Sequence, residues 1–385
     1  MITMQTADKA LKSFYLDAVT DALDKSANPF LAQIKKSTAD VLGKDVRKLV
    51  RYGVGGIVAG SETETLKPSA GKYVQFVSTL KNMYGTIEIS DKAIRASQGS
   101  EGAFVNLLND EMENMVKNAS VQFGRMLFGD GSGKLATVKA VATDNMVGLD
   151  SVKNLFDGMT VYAFGEDGSA KGEFVVDNVN RDMGSAILRG ASFTEADLPV
   201  NSYLSAQAEL NQEITGLGAL FGSGALYGVE RASHSCLNPY RKDSVGAIDE
   251  DIIQRAIDAI EENSGGKVNF IVCSWGVRRA LAAYYRAHNV VLPTVEIEGG
   301  YKALSFNGIP VVADRFCPYG TMYLLNTDDF CIHQLCDWQW LEGEDGKVLS
   351  KVPSKPVYSA TLVKYAELMC YRPGGQGMLS GITEK

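Results

Sequence analysis

The sequence predicts an α+β protein with more than one core, on three observations. One long apolar helical stripe lies just after residue 100, a ladder of short β-rich runs follows residue 135, and helical and strand-like segments alternate beyond residue 245. A chain of 385 residues exceeds one average domain. Its hydrophobic content of 45% and charged content of 22% are those of an ordinary folded protein and exclude wholesale disorder. No apolar run approaches the ~18 residues that cross a bilayer as a helix, so no membrane partner is expected. The opening MITMQTADKALK has neither the basic n-region nor the apolar h-region of a signal peptide. Six cysteines (Cys236, Cys273, Cys317, Cys331, Cys336, Cys370) are scattered without CxxC spacing, which reads as buried thiols made in a reducing cytosol. The net charge is −8 with no block of lysines or arginines. A protein that grips nucleic acid needs a basic face to displace counterions, and this composition lacks one.

Each element follows from its pattern. Leu11, Phe14, Tyr15, Ala18, Val19, Ala22 and Leu23 repeat at helical spacing, with Thr6 able to cap the start and Asn28-Pro29 to break the end. Ser26 to Lys44 reads as less ordered, so this apolar face needs a distant partner or a neighbouring chain. Val46 to Val58 and Lys72 to Ser90 are β-rich, with Val74, Phe76, Ser78 and Leu80 on one face. Between them lies a polar tip, AGSETETLKPSAG, and Gly53, Gly55, Gly56 and Gly85 offer places to flex. The pattern fits an extended arm and an ordinary edge hairpin equally well. Phe104, Leu107, Leu108, Met112, Met115, Val116, Ala119, Phe123, Met126 and Leu127 then form the longest helix, opened at Ser97 or Ser100 and closed by Gly129. At 1.5 Å per residue it makes a rod of roughly 40 Å.

Beyond it, LATVKAV, MTVYAF, GEFVVDNV, SAILRG and NSYLSAQ are short strands separated by turn clusters such as EDGS and RDMG, the pattern of a small barrel or sandwich. A Gly/Ser/Ala-rich linker, Gly216 to Gly228, leads to a helix bearing Ile248, Ile252, Ile253, Ala256, Ile257 and Ile260. Val268 to Cys273 reads as a buried strand, and Ser274 caps a helix running to Ala287. The remainder is mostly strand: Lys302–Phe306, Ile309–Ala313, Met322–Asn326, Phe330–Trp340 and a last pair around Tyr358–Tyr371.

Motifs with catalytic overtones fail in detail. Gly129 to Lys134 (GDGSGK) follows a helix, and Leu135 stands where a phosphate loop needs Ser or Thr. In VCSWG, Val272 replaces the first glycine of a nucleophile elbow, so Ser274 reads as a helix cap. His234, His288 and His333 are far apart, and strand alternation puts His333 and Cys336 on opposite faces. Glu261/Glu262 and Asp328/Asp329 read as solvated carboxylates. No catalytic, cofactor or metal site is expected, and because neither residue belongs to a catalytic set, Ser274→Ala and His333→Ala are expected to leave function largely intact.

The order of these parts resembles the tailed-bacteriophage major capsid proteins of the Hong Kong 97-type fold. It is carried by an arm, a long hairpin, a spine helix ending in RMLFGDGSGKL, a β region, and an α/β region with FIVCSWGVRRAL, FNGIPVVAD, MYLLNTDDF and ATLVKYAELMCYRP. The resemblance implies an N-terminal arm over 1–44, an extended hairpin loop over 45–91, a peripheral domain with the spine helix over 92–134 and 326–385, an inserted barrel-like β domain over 135–215, and an axial α/β domain over 216–325. It implies a non-enzymatic subunit that forms pentamers and hexamers of an icosahedral shell around double-stranded DNA, assembled in the host cytoplasm and retained in the virion. Expected partners are further copies, a separate scaffolding protein, a portal protein and a decoration protein. A nanocompartment shell of the encapsulin kind is the alternative. Phe14, Leu23, Glu62, Glu64, Lys67 and Lys72 are the candidate inter-subunit contacts. Lys67 and Lys72 lie in the loop that some members cross-link, but nothing identifies an asparagine partner, and no cross-link is expected.

Overall fold

The computed structural model describes residues 28–52, 71–92, 101–141, 145–190, 193, 197–288, 294–297, 301–343, 346 and 348–385, with the backbone alone for 101–110, 295–297 and 301–302. The chain divides into two compact units, Met1–Ser120 with Leu220–Lys385, and Val121–Ala219.

In the first unit, Asn28-Pro29 opens a helix, and the helix read over Leu11 to Leu23 lies outside the described residues. Proline is well placed at the first helical position of α1 (Pro29–Gln33), where its missing N–H has no partner to lose. The Asn28 side-chain oxygen accepts from Leu31 N at 3.2 Å, and Phe30 meets Phe330 edge-on at 5.6 Å. Strand β1 (Lys35–Ser37) runs parallel to the strand beginning at Phe330. Strands β2 (Val41–Leu42), β3 (Asp45–Arg51) and β4 (Tyr73–Thr79) form a three-stranded sheet. Much of the stretch read as less ordered is therefore paired. The single run expected over Lys72 to Ser90 is two strands in two sheets: β4 stays in the hairpin, and β5 (Lys81–Ser90) pairs with a distant strand, Ser90 opposite Val357 and Lys81 opposite Ala366. Gly85 is a packing glycine and not a hinge, because a β-carbon there would lie 2.6 Å from Met115 Sδ of the long helix.

That helix, α2 (Glu101–Phe128), has 28 residues. Met112, Val116, Phe123 and Leu127 are buried while Glu113, Asn114 and Lys117 are exposed. Ser97, Ser100 and the side chains of Phe104, Leu107 and Leu108 lie outside the description. Gly129 does not take the left-handed conformation expected of it; Gly131 and Gly133 do, at φ +84° and +85°. Asp130 Oδ1 accepts from Ser132 N at 2.9 Å, which makes GDGSGK a helix exit and turn.

The second unit holds β6 (Lys134–Val141), β7 (Met146–Leu149), β8 (Thr160–Phe164), β9 (Ala170–Asn180), β10 (Ser185–Arg189) and β11 (Tyr203–Ser205), closed into a barrel in the order β10-β7-β6-β11-β8-β9. Closure leaves no unpaired strand edge. Val138, Leu155, Val161, Val176, Leu188 and Leu204 are fully buried in its core. Beside it, the Arg125 guanidinium of α2 grips both carboxylate oxygens of Glu213, one at 3.0 Å, with 5% and 1% of the two side chains exposed. Two of the linker glycines, Gly216 and Gly218, are there for contact. A β-carbon on Gly216 would lie 2.4 Å from the Met126 carbonyl, so this segment packs backbone to backbone on the end of α2.

Back in the first unit, β12 (Tyr240–Lys242), α3 (Glu250–Ser264), β13 (Phe270–Cys273), α4 (Trp275–Ala287), β14 (Thr294–Ile297), β15 (Tyr301–Phe306), β16 (Ile309–Ala313), β17 (Met322–Leu325), β18 (Phe330–Trp340), β19 (Ser350–Lys351), β20 (Val357–Cys370) and β21 (Gly377–Leu379) follow. A seven-stranded sheet runs β12-β21-β17-β13-β16-β15-β14, and Ile253, Ala256 and Ile260 of α3 pack with Val277, Leu281 and Tyr285 of α4 in its core. Asp249 caps α3 through Ile252 N at 2.8 Å, Gly265 ends it at φ +62°, and Ser274 caps α4 through Val277 N at 3.4 Å. The last pair of strands expected around Tyr358–Tyr371 is one strand of 14 residues, β20, lying between β18 and β5.

Removing one partner of a buried ion pair strands the other charge in low dielectric. Glu213→Gln should therefore lower subunit stability by about 3–5 kcal/mol in urea unfolding, and Arg125→Met with Glu213→Leu should recover most of it. A single-mutant loss under about 1 kcal/mol would show the pair to be solvated in solution.

Candidate assembly surfaces

Of the contact residues expected from the sequence, Phe14, Leu23, Glu62, Glu64 and Lys67 lie outside the described residues. Lys72 is described: its side chain is exposed, and its carbonyl accepts from Tyr52 N at 2.9 Å where the hairpin strands part. The hairpin itself has two unlike faces. Val46, Val74 and Phe76 are buried on one. Arg47, Leu49 and Arg51 of β3 and Tyr73 and Gln75 of β4 are exposed on the other, with Leu49 at 64% and Tyr73 at 56%. Leu49 and Tyr73 thus put apolar side chains on the exposed face of this sheet.

The hairpin is fixed to its unit by a residue that sequence reasoning missed. Tyr227 sits in the glycine-rich linker, is buried, and adopts φ +49°, a strained backbone for a bulky side chain. Its ring lies 5.4 Å from that of Phe76, and its carbonyl accepts from Val77 N at 3.0 Å. Its hydroxyl donates to Leu368 O at 3.2 Å and accepts from Cys370 N at 3.0 Å. One side chain thus ties β4 to β20. Nothing in the pattern ALYGVE marks it, since an isolated tyrosine among small residues carries no period.

Between the base of the hairpin, the Cys236–Arg241 segment and the end of α3 opens a cleft of about 1110 Å³. Lys48, Arg51, Arg241 and Arg372 bring positive charge to it and Asp329 negative. Lys48 is paired with Asp40 at 2.7 Å, and Arg241 lies 3.4 Å from Asp243.

The β18–β20 ladder carries the buried titratable groups. Lys364, 1% exposed, gives its ammonium to the Asp337 carboxylate and to Gln334 Oε1 at 2.9 Å, and Lys36 reaches the same carboxylate at 3.0 Å. Burial pushes the Asp337 carboxyl up, but the two ammoniums override it and hold its pKa well below the usual carboxylate range. His333 is fully buried, with Nε2 2.8 Å from the Tyr371 hydroxyl. Strand alternation misplaced it. A bulge after Gln334 inserts a residue, so His333 opposes Glu367 and Cys336 opposes Tyr365, two apart on β20 and therefore on one face. Among the described residues no cluster of histidine, cysteine and carboxylate is arranged to hold a metal. Ser274 Oγ donates to Glu384, Asp328 pairs with Lys35, and Asp329 lies 4.0 Å from Arg372. Four of the six free thiols are buried, whereas Cys236 and Cys336 are half-buried.

No protein-family model matches the chain, and no curated protein sequence does. Solved structures do. A chain of the cyanophage A-1(L) capsid asymmetric unit superposes with a TM-score of 0.58 at 13% identity, covering 93% of each chain. A chain from the capsid of an empty GTA particle gives 0.50 at 11% identity, covering 93% of this chain and 91% of that one. The chain has the fold of a tailed-phage major capsid protein. A chain of the holo-SrpI encapsulin complex from Synechococcus elongatus PCC 7942 is more distant, at a TM-score of 0.48 and 9% identity over 93% of this chain and 89% of that one. Within the first unit, Tyr227 joins the hairpin to the β18–β20–β5 sheet.

Burial holds the His333 pKa below its ordinary 6.5, against the pull of the Ala39 carbonyl and the Asp40 carboxylate. The folded chain keeps this imidazole neutral while the unfolded chain takes up a proton. Stability is therefore full above pH ~6.5 and falls as the pH drops through that value, levelling off below the folded pKa. Urea unfolding between pH 7.5 and 5 should show the decline in the parent and a flatter profile in His333→Phe; identical slopes would mean that the imidazole is solvated. His333→Ala, expected from sequence to be silent, leaves a void in the β18 packing and should lower the melting temperature.

Proposed function

We propose that this chain is a major capsid protein whose copies build, as pentamers and hexamers, the icosahedral shell around the double-stranded DNA of a tailed phage. The observation that carries the reading is the fold shared with a cyanophage capsid chain over 93% of both chains. Sequence similarity contributes nothing to it, so the match reflects the arrangement of elements. On this reading 1–44 is the arm and 45–91 the loop that crosses a neighbour. Residues 92–134 and 326–385 form the peripheral domain, 216–325 the axial domain, and 135–215 is a β domain added to the minimal fold. The exposed face of the hairpin, with Leu49 and Tyr73, supports the loop assignment, because more than half of each of these residues is open to water in the isolated chain. Obligate contacts of this kind bury ~2,000 Å² or more. The net charge of −8 suits a wall that encloses a duplex without adhering to it. The subunit is structural, its partners are its own copies with scaffolding, portal and decoration proteins, and its place is the virion.

Electron microscopy of the expressed chain, alone and with its phage's scaffolding protein, tests this. Hollow icosahedral particles are expected; a monodisperse monomer under both conditions would overturn the proposal. Nucleic acid inside native particles is expected, and a protein cargo in its place would identify a nanocompartment. The polar loop tip is open to a sharper test. Reversing Glu62 and Glu64 to Lys should impair shell formation, or lower shell melting temperature, while the subunit's circular dichroism stays unchanged. High salt should narrow the difference, since exposed pairs are screened over ~8–10 Å. Equal shell stability of mutant and parent at low salt would leave these acids as solvated charges.

A further inference from the structure

The two helices over the seven-stranded sheet carry opposite charge. Helix α3 bears Glu250, Asp251, Asp258, Glu261 and Glu262 against one base, Arg255, which is occupied by Asp251 on its own helix at 2.7 Å. Helix α4 bears Arg278, Arg279 and Arg286 and no acid. Each places charge at the end where it opposes the helix dipole. Glu261 and Glu262 sit in the last turn of α3, which holds no base, and Arg278 and Arg279 sit near the start of α4, whose first turn holds no acid. Among the described residues no ion pair joins one helix to the other, and neither glutamate has an ion-pair partner. Where the helices meet, Tyr285 near the end of α4 feels Glu250 at the start of α3. The unfavourable charges lie along each helix away from that point, by roughly 9 Å to Arg279 and roughly 16 Å to Glu261 at 1.5 Å per residue.

A second feature adjoins the basic end. Trp275 is 50% and Tyr319 64% exposed. The Glu384 carboxylate holds them on one rim, accepting from Ser274 Oγ next to Trp275 and from Gly320 N, next to Tyr319, at 2.7 Å. The Arg278 guanidinium lies 5.8 Å over the Trp275 ring. Arg279 donates to the backbone oxygen of Lys385. Tryptophan, tyrosine and arginine fixed on a rigid rim are the residue types that dominate binding energy at protein interfaces.

We propose that this rim docks on the acidic end of α3 in a second copy of the same chain. The inference rests on the capsid reading and names the surfaces by which adjacent copies touch. Charge decides the occupant, since the complement of the basic rim is carried by every copy on a different part of the same unit. Two unlike patches that fit each other make a head-to-tail contact, and such contacts close into rings where the rotation allows. A nucleic acid would also stack on Trp275 and Tyr319, but the chain's charge of −8 and the absence of a block of lysines or arginines disfavour phosphate.

The test is a charge swap in the full chain, read as the yield of shells or rings by sedimentation and microscopy, with monomer melting temperature as the folding control. Arg278→Glu with Arg279→Glu, and separately Glu261→Lys with Glu262→Lys, should each cut assembly at least tenfold at low salt without lowering the melting temperature. All four together restore complementarity at every contact and should recover assembly. Trp275→Ala with Tyr319→Ala, which leaves charge alone, should also cut assembly. A quadruple variant no better than either double, or doubles that assemble like the parent, would overturn the contact. Normal shells from the arginine double that hold less nucleic acid would overturn it in favour of a nucleic-acid surface. A parent chain that never assembles sinks the capsid reading as well, whereas an assembling parent with indifferent variants sinks this contact alone.

Discussion

The ladder of β20 is the constraint from which the rest of the first unit follows. Its 14 residues pair with β18 on one side and with the whole of β5 on the other, so it is a central strand with no solvent edge over most of its length. A strand so placed must pair each main-chain polar group and bury side chains on both faces. Ala360, Leu362, Val363, Ala366, Leu368, Met369 and Cys370 meet that demand. The ladder also fixes where β5 begins, and with it the point at which the chain leaves the hairpin. Tyr227 completes the link by bonding both Leu368 and Cys370 while packing its ring against Phe76.

Two buried ion pairs show how the chain tolerates charge inside. Lys364 with Asp337, and Arg125 with Glu213, are each desolvated and each satisfied by more than one bond. Desolvation offsets much of the Coulomb gain, so their net contribution to stability is small compared with the cost of breaking them. Such pairs fix register better than they add stability, since a shifted β18 would leave Lys364 without its carboxylate.

Exposed features have the opposite economy. Leu49, Tyr73, Trp275 and Tyr319 are half or more open to water in the isolated chain, and the charges at the ends of α3 and α4 oppose their helix dipoles. Each such choice weakens the subunit slightly. Natural sequences break local rules mainly where function compensates, and in a shell every compensation recurs in each copy.

How much of this was legible depended on whether a pattern is local. The helical period of α2, the cap Ser274, and the short barrel strands with their turn clusters were readable because they reflect 3.6- and 2-residue periods and side chains that bond their own backbone. That information lies within a few residues, so the order of helix, β region and α/β region, and from it the capsid resemblance, was set by sequence alone. Other features were decided by contacts far apart in the chain. The division of Lys72–Ser90 into two sheets, the pairing of β5 with β20, the bulge that brings His333 and Cys336 to one face, and the packing roles of Gly85 and Gly216 each depend on a partner more than 20 residues away, which no local period encodes. Tyr227 is the clearest case: alone in sequence it is one aromatic among small residues, and only the fold gives it Phe76, Leu368 and Cys370, because bonds that bridge separate strands exist only once those strands have been brought together.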